Sequence, residues 1–543
     1  MRGGRLVARA LAANEAGPVF TLCGDHITAT LDGCAEEGLR VIDARHEAGA
    51  GFMAEGWSLA TGRPGVVLVT GGPGLTNVLT PVADAAMAGI PLVVLTGAIR
   101  QSERGSGHPQ DIDHAAALAP FTRWSETVRT ADAIPGAVSE AFARARADRG
   151  PVLLELPLDV QLAEAAEPNL IGAVYNPVLK YPKSVKDAGE LLRTAERPLI
   201  LAGEGAFWSG AGPVLRELAE TARVPMFTLR AGRGLLPDDH ELALGQPNFL
   251  SPLGQLAFSR ADVVLCVGAD LDIVVAFGHP FAQAKLIRIE ADTDRVRRHR
   301  EPDVAVVGDE RQCLTVLAHD VPKLDTEAWL DELRAAEDPP SDLPSDPDRP
   351  AHPSRLVEAL AAIPGPATFS VDAGELALWA IGDLPAHGPG RLLTSFATPL
   401  ATLGNGIPFA IAAKLARPDE PSIALVGDGA FGLQAMEIDT AVRHGVDVTV
   451  VIGNDAAWGI VKRQGEMGFG RSIAADLPGA RYDRVAEGLG ARGERVEDLA
   501  SLGPAVERAF AGPGTAVVDV AIDPEPVHPA MRFISAMFAP GGS

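Results

Sequence analysis

A glycine-rich turn in the last third of the chain carries the strongest chemical signal. The run GDGAF occupies residues 427–431, and 24 residues (430–453) separate Gly429 from the pair Asn454-Asp455. Glycines let the backbone approach a phosphate, and amide groups at a helix start can bind it. The carboxylates of Asp428 and Asp455 offer the hard oxygens that Mg²⁺ or Ca²⁺ prefers. The spacing predicts a phosphate and cation site; the alternative is a tight turn with an Asx cap.

Polar residues also follow three predicted strands near the N-terminus. These residues are Asp25-His26, His46-Glu47 and the glycine-rich run at 71–74. Parallel α/β sheets bind ligands at the carboxyl ends of their strands, so these positions are candidate site residues. For Glu47 the alternative is a solvated charge in the first turn of a helix, where it complements the helix dipole.

The elements that must position these residues alternate between apolar strands and helices. Strands are predicted at 19–24, 40–45, 65–72 and 91–97, and a helix at 46–62 that ends at Gly62. Further strands are predicted near ATFSVD, RLLTSF, SIALVG, VDVTVVIGN and TAVVDVAI. Continuous apolar strands that alternate with helices are typical of parallel sheets covered on both faces. We therefore predict an α/β protein with three consecutive doubly wound parallel-sheet domains.

The domain boundaries follow from composition. We predict a first domain over 1–170, a central Rossmann-like domain over 185–325 and a third domain over 354–530. The segment 336–353, which contains EDPPSDLPSDPDRPAHP, is rich in proline and aspartate and is predicted to be a linker.

Composition and charge exclude several classes of protein. The 543 residues are 47% apolar and 22% charged, so a disordered chain is excluded. The net charge of −24 argues against nucleic-acid and anionic-membrane partners. Apolar runs are too short for a membrane span, and the N-terminus predicts an amphipathic helix, not a signal peptide. Four widely spaced cysteines predict neither disulfides nor zinc, which favours the cytoplasm.

These motifs resemble those of thiamine diphosphate-dependent enzymes. GDG followed after 24 residues by Asn-Asp is similar to their cofactor motif GDG-x(24–27)-N(N). ARHEAGAGFMAEGW (44–57) and VTGGPGLTNVLTPVADA (69–85) resemble the pyrimidine-binding domain of the acetolactate synthase group. The resemblance covers nearly the whole chain. It implies a pyrimidine-binding, a central and a diphosphate-binding domain, with thiamine diphosphate and Mg²⁺ as cofactors.

The resemblance also assigns roles to residues of the first domain. It implies that Glu47 is catalytic, because a carboxylate bonded to N1' of the aminopyrimidine stabilises the imino form that removes the C2 proton. It further implies that Gly72, Pro73 and Asn77 contact the cofactor.

In the third domain the resemblance implies a cofactor cradle. ATLGNGIPFA (401–410) places Leu403 as the wedge that bends the cofactor and the Ala401 carbonyl as acceptor for its amino group. Asp428, Asp455 (where the family usually has asparagine) and the Ala457 carbonyl are the implied metal ligands. The other implied cofactor contacts are Gly374, Glu375, Leu376, Gly427, Gly429, Ala430, Asn454, Trp458, Gly459 and Ile460. Of these, Glu375 must turn its carboxylate away from the diphosphate.

The sequence departs from the acetolactate synthase pattern in two respects that concern the substrate and the cofactor. In GIVKRQG (459–465), Gln464 stands where acetolactate synthases carry a tryptophan that shapes the acceptor pocket. GADLDIVVAFG (268–278) lacks the arginine of the flavin-binding segment, and GEGAFWSG (203–210) is a loose glycine cluster. FAD is therefore a candidate cofactor that the sequence does not favour.

The loop after the first strand resembles another branch of the family. CGDHI (23–27) is similar to the G-x-H-I segment of benzaldehyde lyase, which implies that His26 moves a proton to and from the substrate. Asp25 beside it is a candidate catalytic residue. Gln110 in HPQDIDH matches a glutamine that can hydrogen-bond a developing alkoxide. The alternatives are a helix-start histidine bonded to Asp25 and an exposed loop glutamine.

We therefore expect a carboligase that decarboxylates a 2-keto acid, pyruvate above all, and adds the acyl group to a second carbonyl. A benzaldehyde-lyase-like or 2-hydroxyacyl-CoA-lyase-like enzyme is the first alternative, and a non-catalytic regulatory subunit with this fold is the second. The expected partners are small 2-keto acids or aldehydes and further copies of the chain. The resemblance implies a homodimer or homotetramer with active sites between subunits.

Overall fold

The computed structural model describes residues 1–167, 181–336, 346–396 and 398–538. These residues form three α/β domains, each built on one parallel sheet with helices on its faces. This confirms the predicted fold class. None of the helices in the described part of the chain is long and apolar enough to cross a membrane.

The first domain contains a six-stranded sheet in the order β2-β1-β3-β4-β6-β5. Its strands are β1 Val19–Thr21, β2 Val41–Asp43, β3 Gly65–Val69, β4 Leu92–Ala98, β5 Trp124–Thr127 and β6 Pro151–Pro157. Its helices are α1 Gly3–Ala13, α2 Thr28–Glu36, α3 Glu47–Thr61, α4 Pro73–Asn77, α5 Leu79–Ala88, α6 His114–Leu118, α7 Ile134–Ala147 and α8 Leu158–Leu162.

The central domain contains a five-stranded sheet in the order β11-β10-β9-β7-β8. Its strands are β7 Pro198–Ala202, β8 Met226–Thr228, β9 Val263–Val267, β10 Lys285–Glu290 and β11 Val304–Val307. Its helices are α9 Ser184–Arg193, α10 Glu204–Trp208, α11 Gly212–Ala222, α12 Pro252–Arg260, α13 Glu310–Asp320 and α14 Glu327–Ala335.

The third domain repeats the topology of the first, with the order β13-β12-β14-β15-β17-β16. Its strands are β12 Thr368–Val371, β13 Leu392–Thr394, β14 Ser422–Gly427, β15 Thr449–Asn454, β16 Arg492–Val496 and β17 Ala516–Ala521. Its helices are α15 Pro353–Ala361, α16 Glu375–Ala380, α17 Gly406–Ala416, α18 Asp428–Gln434, α19 Glu437–Arg443, α20 Gly459–Phe469, α21 Tyr482–Gly488, α22 Leu499–Ala511 and α23 Ala530–Phe538.

The strands that the sequence predicted in the first and third domains are confirmed, and α3 ends at Gly62 as expected. The pattern missed β6, a buried strand between β4 and β5, and it missed the two edge strands β5 and β16. Their sequences, WSET and RGERV, are polar and only partly buried. An edge strand has one strand neighbour and one solvated side, so it lacks the continuous apolar signal of a central strand.

The core of the central domain continues beyond the predicted boundary at 325. Helix α14 lies after that boundary, and its Trp329 is buried and donates a hydrogen bond from Nε1 to the carbonyl of Pro198 at 3.1 Å. Residues 337–345 of the predicted linker lie outside the described residues, as do 168–180.

Helices α3 and α17 join the first and third domains. Phe52 and Phe409 pack edge to face with ring centroids 6.3 Å apart, within a core cluster that contains residues of both domains. Edge-to-face aromatic pairs add to the apolar burial that holds such an interface together.

Two buried acids lie beside this junction. Asp84 on α5 accepts a hydrogen bond from Thr398 Oγ1 of the third domain at 2.9 Å. Glu55 on α3 is completely buried, and neither of its carboxylate oxygens has a hydrogen-bond partner among the described residues. Burial and the nearby Asp84 raise the pKa of Glu55 well above its usual value.

This environment predicts a pH-dependent effect of Glu55→Gln on stability. Folding favours the protonated acid, so the wild-type protein loses stability as the pH rises above the ordinary pKa of glutamate. Glutamine carries no such penalty. We expect the variant to melt several degrees above the wild type at pH 8, at about 2 to 4 °C per kcal/mol, and much closer to it at pH 5.

Scanning fluorimetry at one scan rate measures both melting temperatures. The exposed Glu190→Gln on α9 serves as the control for loss of one carboxylate. A melting difference for Glu55→Gln that is the same at both pH values would contradict the assignment.

Candidate active site

A cavity of about 290 Å³ lies at the carboxyl ends of β12, β14 and β15. Three helices, α16, α18 and α20, begin at its wall, so their unpaired backbone amides lie around it. The site residues predicted from sequence that line the cavity are Gly374, Glu375, Leu376, Ala401, Leu403, Gly427, Asp428, Gly429, Ala430, Asp455, Ala457, Trp458, Gly459 and Ile460.

Two aspartates form the electrostatic centre of the cavity. Asp428 begins α18, Asp455 directly follows β15, and their carboxylates are close enough to repel each other electrostatically. Burial and the carboxylate of Asp455 raise the pKa of Asp428. Two neighbouring carboxylates that are buried and half-buried are costly to ionise together. A proton or a cation shared between them would lower that cost.

The donor set fits a hard divalent cation. Asp428 is 2% exposed, and its Oδ2 atom is buried without a hydrogen-bond partner among the described residues. Ala456 has a φ of 56°, and this turn brings the buried Ala457 into the cavity wall beside Asp455. Carboxylate and carbonyl oxygens are the ligands that Mg²⁺ and Ca²⁺ prefer. Groups of three or more His, Cys, Asp or Glu side chains that could hold a metal are absent from the described ranges.

The glycines of the cavity are required by geometry at two positions. Gly374 has a φ of 135°, a backbone conformation that other residues rarely adopt. A Cβ atom on residue 429 would lie 2.6 Å from the ring of Trp458. Trp458 therefore packs directly against the GDG turn, and its own position depends on that glycine.

A buried aspartate that the sequence analysis missed holds the loop around Leu403. Asp372 accepts hydrogen bonds from the amides of Gly404 at 3.0 Å and Gly406 at 2.8 Å. Burial raises its pKa to about 6. Asp372 directly follows β12, so the rule that selected residues after strands could have found it.

The side chain of Asn454 does not reach the cavity. Its Nδ2 donates to Asp519 at 2.9 Å, and its Oδ1 accepts from the amide of Ala456 at 3.1 Å. Asn454 is the last residue of β15, whose neighbour in the sheet is β17 with Asp519. These contacts give Asn454 a supporting position below the cavity, and its expected contact with the cofactor stays a prediction.

Glu47 is the first residue of α3 and is 6% exposed. The side chain of His46 caps this helix by accepting from the amide of Ala48 at 3.0 Å. Asn77 at the end of α4 donates from Nδ2 to Glu47 Oε2 at 3.0 Å. The structure thus brings together Glu47 and Asn77, two residues that the sequence nominated separately.

His114 supports the turn that contains Gly72 and Pro73, and the sequence analysis missed it. Its Nε2 accepts from the amide of Gly72 at 2.9 Å, and its Nδ1 lies 2.6 Å from Glu155 Oε2. Burial lowers the pKa of His114 to about 4, so the ring is neutral and Nδ1 donates to Glu155. His114 is the last residue of HPQDIDH, a segment from which we had selected only Gln110.

His26 and Gln110 lie in loops near this turn. His26 belongs to the short turn Asp25–Ile27, and its Nδ1 is buried without a partner among the described residues, so no bond to Asp25 occupies that atom. Gln110 has a φ of 68° and its Oε1 lies 3.5 Å from Thr70 Oγ1. Gln110 also packs close to Gly72, where a Cβ atom would lie 2.8 Å from its side chain.

The structure of one chain does not unite these two groups of residues. Within the described residues, the wall of the cavity comes from the third domain alone. The first-domain candidates outside it are Asp25, His26, Glu47, Gly72, Pro73, Asn77 and Gln110.

Arg463 is a further cavity residue that the sequence analysis did not select. Its Nε donates to both carboxylate oxygens of Glu375, at 2.6 and 2.7 Å. Arg463 thus holds the carboxylate of Glu375, which we expected to turn away from the diphosphate. Arg463 lies one helical turn after Gly459, a predicted cofactor contact. Residues four apart share one face of a helix, so this spacing could have identified Arg463 from the sequence.

A second cavity, of about 970 Å³, lies where the three domains meet. Two of its arginines pair with carboxylates: Arg295 with Glu204 at 2.7 Å and Arg298 with Asp270 at 3.2 Å. Glu204 begins α10 just after β7, where a dinucleotide of this fold type would place its diphosphate. These paired charges do not favour FAD, which stays a candidate cofactor, and we assign no step to a flavin.

Comparisons with known proteins agree with this architecture. The chain matches the thiamine pyrophosphate enzyme N-terminal TPP binding domain over residues 1–117, the central domain over 185–317 and the C-terminal TPP binding domain over 372–520. Each matched segment falls within one of the three domains; the first ends before β5 and β6, and the third begins directly after β12.

Full-length relatives are also found. The acetolactate synthase large subunit IlvG of Mycobacterium tuberculosis is 38% identical over 544 residues, which cover 97% of each chain. A probable acetolactate synthase of Mycobacterium bovis gives the same values. The 2-hydroxyacyl-CoA lyase 2 of Bos taurus is more distant, at 32% identity over 90% of this chain and 84% of its own. The chain therefore belongs to the thiamine pyrophosphate enzyme family and is an acetolactate synthase-like enzyme that forms or cleaves carbon–carbon bonds with thiamine diphosphate.

Proposed function

We propose that this protein is a Mg²⁺-dependent carboligase that decarboxylates pyruvate and adds the acyl group to a second carbonyl compound. The observation that carries the proposal is the pair Asp428 and Asp455 in a cavity of helix starts. Full-length similarity to acetolactate synthases at 38% identity supports the direction of the reaction. Because relatives over the whole chain are enzymes, we do not propose a non-catalytic subunit.

Asp428, Asp455 and the carbonyl of Ala457 are the proposed Mg²⁺ ligands. The unpartnered Oδ2 of Asp428 and the proximity of Asp455 support this assignment, since a cation would compensate both charges. The amides at the starts of α16, α18 and α20 are the proposed diphosphate donors. Leu403 and the Ala401 carbonyl, both in the cavity wall, are proposed to shape and orient the cofactor.

Bound thiamine diphosphate supplies a carbon nucleophile at C2 of its thiazolium ring. Glu47 is the proposed residue that holds a proton against the aminopyrimidine. Its 6% exposure and the hydrogen bond from Asn77 support this role, because a desolvated and oriented carboxylate exchanges a proton without competition from water. Gly72 and Pro73 are proposed to contact the same ring.

We further propose that the active site forms between two copies of the chain. Glu47, His26 and Gln110 lie in the first domain, whereas the described residues of the cavity wall belong to the third. A homodimer, alone or paired into a homotetramer, would bring the first domain of one copy to the cavity of the other. His26, whose Nδ1 is buried and unpartnered, and Gln110 are then proposed to face the substrate, with Asp25 beside them.

The lyase direction is a second candidate. The full-length relative named 2-hydroxyacyl-CoA lyase 2 favours it, as does the CGDHI loop. In that direction His26 would accept the hydroxyl proton of the substrate instead of delivering one. For either reaction we propose a cytoplasmic location, which the free thiols Cys23, Cys34, Cys266 and Cys313 support.

Incubation of the purified protein with thiamine diphosphate, Mg²⁺ and pyruvate tests the proposal directly. We expect release of CO2 together with acetolactate or acetoin, followed by NMR. Cofactor binding without CO2 release would reject pyruvate decarboxylation, and cleavage of a 2-hydroxy ketone or 2-hydroxyacyl-CoA would then support the lyase.

Glu47→Gln should bind the cofactor about as well as the wild type but lose most turnover. The glutamine keeps the size of the side chain and can still bond Asn77, but it cannot exchange a proton. A loss of at least about 100-fold in kcat is expected for a lost acid–base group. Calorimetric titration with thiamine diphosphate and initial rates measure the two effects. Unchanged kcat would reject the role of Glu47, and Glu190→Gln is the matched surface control.

Asp428→Ala should lose metal-dependent cofactor affinity with only a small loss of stability. The substitution removes a buried carboxylate whose Oδ2 has no partner among the described residues, and it loses the bond that Oδ1 accepts from the Gly429 amide at 3.0 Å. Titration with thiamine diphosphate at saturating Mg²⁺ measures the dissociation constant, with the exposed Asp325→Ala as control. If Asp428→Ala binds the cofactor like the wild type, the metal assignment is wrong.

A further inference from the structure

The cavity has an unusual balance of charged side chains. Among the described residues of its wall, the carboxylates are Glu375, Asp428, Asp455 and Asp523, and Arg463 is the single cation. A cofactor diphosphate would add further negative charge to this space. Without compensation, such a wall would repel the group that the amide donors are arranged to bind.

Glu375 contributes to this excess of negative charge in the cavity wall. A Cβ atom on residue 459, the first residue of α20, would lie 2.8 Å from Asp455 Oδ2 and 2.9 Å from Glu375 Oε2. The two carboxylates therefore converge on the start of the same helix. Burial and Asp455 raise the pKa of Glu375, even though Arg463 opposes the shift.

Backbone carbonyls also hold the guanidinium of Arg463. Its Nη2 donates to the carbonyls of Pro524 at 2.6 Å and Pro526 at 2.8 Å. Its Nε faces the carboxylate of Glu375, and the side chains of Arg463 and Glu375 are 13% and 9% exposed. A fixed and desolvated guanidinium is well suited to bind phosphate, because little entropy is lost when it exchanges one anion for another.

We propose that Arg463 is a diphosphate-binding residue of this chain, and that Glu375 holds its guanidinium until the cofactor diphosphate takes the place of the carboxylate. This inference rests on the proposed thiamine diphosphate site. The exchange keeps one anion on Arg463 in both states. It explains how a carboxylate is accommodated at a position where the family contacts the diphosphate.

The opposing possibility is that Arg463 only neutralises Glu375. The two possibilities differ once Glu375 is uncharged. If Arg463 binds the diphosphate, its removal weakens cofactor binding in the Glu375→Gln background as well. If Arg463 only neutralises Glu375, removal of the arginine has no effect in that background.

The experiment is a double-mutant cycle measured by calorimetric titration with thiamine diphosphate at saturating Mg²⁺. We expect Glu375→Gln to bind more tightly than the wild type, because Arg463 is released and a negative charge is removed. We expect Arg463→Gln to bind at least about tenfold more weakly. The double variant should bind at least about tenfold more weakly than Glu375→Gln alone.

Equal affinity of the double variant and Glu375→Gln would overturn the proposal, and so would wild-type affinity in Arg463→Gln. Lys462→Gln is the matched control, because it removes one positive charge from the same helix, where Lys462 pairs with Asp476 outside the cavity wall. If Arg463→Gln unfolds, Arg463→Lys keeps the charge but loses the forked geometry. It should then bind more weakly than the wild type, and unchanged affinity would reject the proposal.

The wild type and Asp428→Ala separate this inference from the proposed function. Binding by the wild type and loss in Asp428→Ala would support the cofactor site, and the cycle then decides the role of Arg463. Failure of the wild type to bind thiamine diphosphate would overturn both.

Discussion

The close approach of Asp428 and Asp455 is the constraint on which the site depends. They lie at the ends of β14 and β15, which are neighbours in the sheet and pair Gly427 with Gly453. The parallel arrangement therefore forces two carboxylates together where burial disfavours charge. The amides of three helix starts and the turn at Ala456 surround this pair. A cation between the two aspartates would be attracted to both carboxylates and would remove the repulsion between them.

The same sheet topology serves two different purposes in the first and third domains. In the third domain, the strand ends present carboxylates, glycines and helix amides, which suit a metal and a diphosphate. In the first domain, they present a shielded glutamate, Glu47, supported by Asn77, and a turn fixed by neutral His114. One architecture thus presents anion-binding groups in the third domain and a shielded carboxylate in the first. The shared core around Phe52 and Phe409 joins these domains within a chain.

Several acidic side chains are buried in this protein, and different groups compensate them. Asp372 accepts two backbone amides and holds the loop of Leu403. Glu55 and Asp84 share the domain junction, where burial favours their protonated forms. Glu375 is instead paired with Arg463. Backbone donors, a proton and a guanidinium are three ways to compensate a buried carboxylate. Only the guanidinium leaves a cation that a second anion can use.

Local patterns in the sequence predicted the fold class, most of the strands and many residues of the cavity wall. Those features depend on local periodicity and on residues that directly follow strands, which are visible in one dimension. The polar edge strands β5 and β16 escaped because an edge position is a property of the whole sheet.

The contacts between distant side chains are visible only in the folded chain. Asn454 turns to Asp519, 65 residues away, and Arg463 reaches Glu375 across 88 residues. Such pairs form because strand order and helix packing bring distant segments together, and neither leaves a local trace in the sequence.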